Sequence, residues 1–127
     1  MNLPEITHQN IAQLLNKEAI IHENIAQIQK DFGMYSIEIS FDGNIETAYE
    51  QLIVQLSVEI TKLLENDKSK LQSILYRIDL SENVIKRALQ YRTTSEFDIT
   101  TNQMIAHEII VRELKKVLTR NYFKNIG

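Results

Sequence analysis

The sequence predicts a mainly α-helical single domain spanning 1–127, a bundle of about five helices with one or two short strands attached, at 35–41 and at 95–99. Three observations lead there. Apolar residues recur at three- and four-residue spacing along most of the chain, capping residues stand just ahead of those runs, and a two-residue alternation appears in only two places. A chain of 127 residues with 43% hydrophobic and 24% charged composition suits one packed core.

The first helix carries a heptad. Ile11, Glu18, Ile25 and Phe32 recur every seven residues, and Leu14, Ile21 and Ile28 fill the interleaved positions. Glu18 is the one charge on that seam, and Gly33 is placed to end the helix as a C-cap. Beyond it Tyr35, Ile37, Ile39 and Phe41 alternate with Ser36, Glu38 and Ser40, the pattern of a strand with one buried face. Two partners are open to it: residues 95–99 of the same chain, where Phe97 and Ile99 alternate with polar neighbours, or its own copy in a second molecule.

Asp42 and Gly43 make a turn, and Asn44 caps a helix running from about 45 to 65. Its broad apolar face holds Ile45, Ala48, Tyr49, Leu52, Ile53, Leu56, Ile60, Leu63 and Leu64, while Val54 and Val58 lie on the opposite side, so it is expected at the centre of the bundle. Two short helices follow, capped by Asp67 and Ser81 and joined by a turn at Asp79–Ser81, with Leu80 and Ile85 as a hydrophobic staple. The last helix opens on a capping box, Thr100 and Gln103, and runs to about Phe123.

Charge is unevenly spread. Residues 1–66 hold ten acids and three bases, hence −7, and residues 67–127 hold seven acids and eleven bases, hence +4. Such a split serves attraction between the halves of one molecule, association between molecules, or an anionic partner. The chain has no cysteine, so no disulfide or thiolate chemistry is available to it. No apolar run reaches the ~18 residues of a membrane span, the first residues lack a signal-peptide layout, and a cytoplasmic location without membrane contact is expected.

Motifs for chemistry are sparse. Asp31-Phe32-Gly33 resembles the metal-binding tripeptide of protein kinases, but neither a Gly-rich phosphate loop nor a His-Arg-Asp catalytic loop accompanies it. None of His8, His22 and His107 belongs to a His-Glu-x-x-His zinc helix, and no cofactor or metal is expected. His107 falls among apolar neighbours, with Glu59 as a candidate carboxylate partner. That pair is the raw material of a general base and would be the centre of an enzyme, the third reading.

The first reading is a non-enzymatic protein–protein interaction module, a homodimer or a binder of another protein. Its expected contact residues are Tyr35, Ile37, Ile39 and Phe41 on the strand, with Ile105, Ile109 and Phe123 on a second apolar patch of the last helix. The second reading is a nucleic-acid or polyanion binder. It would use the helical hairpin 68–92, through Lys86, Arg87 and Arg92, together with the stripe Arg112, Lys116 and Arg120.

Overall fold

A computed structural model of the chain describes residues 18–90 and 99–126. Among them are five α-helices: α1 (Glu18–Gly33), α2 (Ala48–Asn66), α3 (Lys68–Ile78), α4 (Glu82–Gln90) and α5 (Ile99–Ile126). A single 3-10 turn, Ile45–Thr47, leads into α2. The helical bundle is therefore as expected, and no helix among the described residues is long and apolar enough to cross a membrane.

Most helix ends follow from their capping residues. Asn44 Oδ1 accepts the Glu46 amide ahead of α2, Asp67 Oδ1 accepts the Lys70 amide of α3, and Ser81 Oγ accepts the Val84 amide of α4. The C-termini use unexpected residues. At the end of α1 the left-handed position is taken by Ser36, φ 63°, not Gly33, and Ile37 donates back to the Phe32 carbonyl. Asp79, φ 69°, does the same after α3, with Leu80 donating to the Leu75 carbonyl, so the α3–α4 turn closes without glycine. Thr100 lies inside α5, one residue past its start, and not at its cap.

No strand forms at 35–41: Tyr35 and Ser36 belong to the turn that ends α1, residues 37–41 carry no regular secondary structure, and 95–98 lie outside the described residues. The alternation itself is real: Ile37 and Ile39 are buried, and Tyr35 and Phe41 pack half-buried against the core. Glutamines stand where a neighbouring strand would. Gln55 of α2 accepts from the Ser40 amide at 2.8 Å and donates to the Ser40 carbonyl at 2.6 Å, the two bonds a ladder would supply. Gln29 of α1 donates to the Ile39 carbonyl at 2.9 Å, and Gln51 of α2 both accepts from the Asp42 amide and donates to its carboxylate. The two flanking helices thus bond the backbone of this segment at Ile39, Ser40 and Asp42.

The central helix is α5. It packs on α1, α2, α3 and α4, and Ala106, Ile109, Ile110, Leu114 and Val117 are buried along it. Helix α2 buries Leu52, Leu56, Ile60, Leu63 and Leu64 against α5 and α3 but keeps Val54 and Val58 outside, so it is a peripheral helix with one apolar face inward.

Candidate functional site

Burial sorts the expected contact residues first. Ile37, Ile39, Ile105 and Ile109 are core residues of the subunit, Tyr35 and Phe41 lean on the same core, and the Phe123 side chain lies outside the described residues. Ile105 and Ile109 are covered because α5 has helices on several sides. The patch they form on a helical wheel is an internal surface.

The basic residues are mostly engaged. Each member of the α5 stripe meets an acid: Arg112 Nη2 lies 2.8 Å from Asp79, Lys116 Nζ 2.9 Å from Glu113, and Arg120 Nη2 3.8 Å from Glu23 of α1. With Arg77 of α3 on Asp31 of α1, at 3.1 Å, two of the described ion pairs join an acid of the first half to a base of the second. Part of the charge asymmetry is thus met inside the molecule. Lys86 and Arg87 are exposed on α4, Arg87 donating to the Asn83 carbonyl of its own helix, and Arg92 lies outside the described residues. Between the α3–α4 turn and α5 a groove of about 500 Å³ carries Lys115 and Arg112 together with Asp79, Glu82 and Glu108, a mixed lining that favours neither sign of ligand.

His107 is half-buried on α5, and its Nδ1 meets the Tyr49 hydroxyl of α2 at 2.7 Å, the rings edge to face. Burial raises the Tyr49 phenol above its ordinary value. Glu59 sits 3.7 Å from Lys62, its neighbour on the same helix. At the start of α1, His22 and Glu18 form a loose exposed pair at 3.9 Å, so Glu18 lies at the wet edge of the seam.

The strongest electrostatic feature was not singled out in the sequence. Asp31 of α1 and Glu113 of α5 are both buried polar residues, and they face each other inside the bundle. Burial first, and then the neighbouring Asp31 carboxylate, raise the Glu113 carboxyl to about 8 against the opposing charge of Lys116. Burial alone would raise Asp31 too. The neighbouring Glu113 carboxyl, hydrogen bonds from Gln27 and Arg77, and the nearby Lys116 charge outweigh it and hold the carboxylate below its ordinary value. At neutral pH Glu113 is therefore mostly protonated beside an ionised Asp31, although neither of its oxygens makes a well-formed hydrogen bond among the described residues. Lys116 touches Glu113 as a close charge, without a well-aligned hydrogen bond. The cluster ties α1, α3 and α5 together. A signal for it existed: Asn102, Ala106, Ile109, Glu113 and Val117 form one column along α5, and a carboxylate in an apolar column is a burial marker.

Among the described residues, an apolar pair stands uncovered on α2. Val54 is 62% exposed and Val58 47% exposed, one turn apart on the outer face of α2. Glu50 precedes them by one turn and Lys62 follows by one, both exposed. No family model, curated protein or solved structure matches the chain.

Proposed function

We propose that the chain is a non-catalytic protein–protein interaction module that works in the cytoplasm as a homodimer. The observation that supports this reading is the pair Val54 and Val58, two β-branched side chains standing together on the outside of a helix whose other apolar residues are buried or half-buried. Scattered exposed apolar residues such as Met34, Tyr76 and Met104 are ordinary on a folded surface. Two on one helix ridge, flanked by opposite charges, form a place to dock. The polyanion reading loses weight because the bases of the α5 stripe already face acids. Sedimentation velocity of the purified chain from micromolar to near-millimolar concentration tests the proposal. A reversible rise toward the mass of two chains is expected, and a single-chain mass throughout overturns it.

A further inference from the structure

The outer ridge of α2 reads Glu50, Val54, Val58, Lys62, one residue per turn at four-residue spacing. Running α2 against its own copy in the opposite direction, about a two-fold axis midway between Val54 and Val58, brings Val54 onto Val58 of the second copy and Glu50 onto its Lys62. Each contact is made twice, as a two-fold axis requires. A parallel arrangement would set Glu50 against Glu50 and Lys62 against Lys62, so the charge order selects the antiparallel one. We infer that α2 is the dimer helix and that two copies pair antiparallel through the ridge Glu50–Val54–Val58–Lys62.

This rests on the interaction reading above and adds to it the face, the direction and the register. The geometry is feasible. Ridges at four-residue spacing from two helices run alongside each other when the axes cross at about −50°, and side chains as small as valine permit an axial separation near the short end of the usual ~8–10 Å. From residue 50 to 62 the ridge is ~18 Å long, which puts the charges at the rim and the valines at the centre. Lys62 already has a partner in Glu59, but that pair is at 3.7 Å with the lysine largely in solvent, an attraction too weak to hold it there. Rim charges of this kind select orientation more than they add affinity, and the valines supply the apolar contact.

Charge reversal tests it. Glu50→Lys and Lys62→Glu, each alone, set like charges together at both ends of the contact and should weaken self-association at least about tenfold, a difference of ~1.4 kcal/mol. Both substitutions in one chain restore opposite charges, and so does an equimolar mixture of the two single variants, which should pair with each other in preference to themselves. Both positions are exposed, so unchanged helical circular dichroism and melting temperature are expected. A dimer indifferent to every one of these changes overturns the assigned face while leaving the interaction reading intact. A wild-type chain that stays monomeric overturns both.

Discussion

Helices α1 and α2 break the usual rule of burial in opposite directions. Helix α1 hides polar side chains, Asn24 and Asp31, among Ile21, Ile25, Ile28 and Phe32, whereas α2 leaves two valines in water. The difference lies in where the compensation is found. Asp31 meets Gln27, Arg77 and Glu113, all within the subunit, so burying it serves the fold. No described element covers Val54 and Val58, so their exposure points outward, to another molecule. A polar group inside with its partners is architecture, and an apolar pair outside without cover is an interface.

The sharpest way to break this contrast is to remove Asp31. Asp31→Ala leaves Arg77 without its partner and Gln27 without its acceptor. A loss of roughly 2–4 kcal/mol in urea unfolding is expected, reduced from the full value for a buried pair because Arg77 is partly in solvent. A loss below ~0.5 kcal/mol, the range of ordinary surface changes, would mean the cluster does not join the helices.

Glu113 sets a pH dependence of definite sign. Its folded value, about 8, lies above its ordinary 4.5, so its contribution is whole below the ordinary value and is lost as the pH rises through about 8. Asp31 acts oppositely, its contribution being present above its ordinary 3.8 and lost as the pH falls through its lowered value. Melting temperature measured across this range should therefore peak in mild acid and decline toward pH 8. Glu113→Gln, which keeps the side chain's size and polarity but cannot ionise, should remove the decline. An unchanged slope in that variant would contradict the protonated-acid assignment.

Asn24 marks the boundary of the contrast. It is fully buried, and neither its oxygen nor its nitrogen has a hydrogen-bond partner among the described residues. Asn24→Leu should raise stability by about 1–2 kcal/mol, because an unpaired buried amide is replaced by an apolar side chain of similar size. A fall would show that the amide has a partner. The smallest effect on folding is expected on α2: Val54→Asp with Val58→Asp should change unfolding free energy by no more than ~0.5 kcal/mol, as at ordinary surface positions.

The sequence makes the inward face of α2 legible, because its spacing is helical and its caps at Asn44 and Asp67 act locally. Ser81 and the Leu80–Ile85 staple are legible for the same reason. The failures are tertiary. Residues 35–41 carry a strand pattern, yet the pattern records only which side chains face the core. The hydrogen-bond partners are Gln29, Gln51 and Gln55, whose reach depends on how α1 and α2 are placed. The centrality of α5 depends on packing in the same way. It turned Ile105 and Ile109 from an expected contact patch into core. Glu113 stands in an apolar column of α5 that marks it for burial, but Asp31 lies far away in the chain and nothing local pairs the two. Val54 and Val58 were visible as a second face, and only the fold reveals that nothing described covers it.

The most direct test of the central claim, that the valine ridge of α2 is where two copies meet, is sedimentation velocity of the wild type beside the Val54→Asp, Val58→Asp variant over the same concentrations. The wild type should move toward the mass of two chains and the variant, equally folded, should stay at one. Superimposable profiles for the two proteins would contradict it.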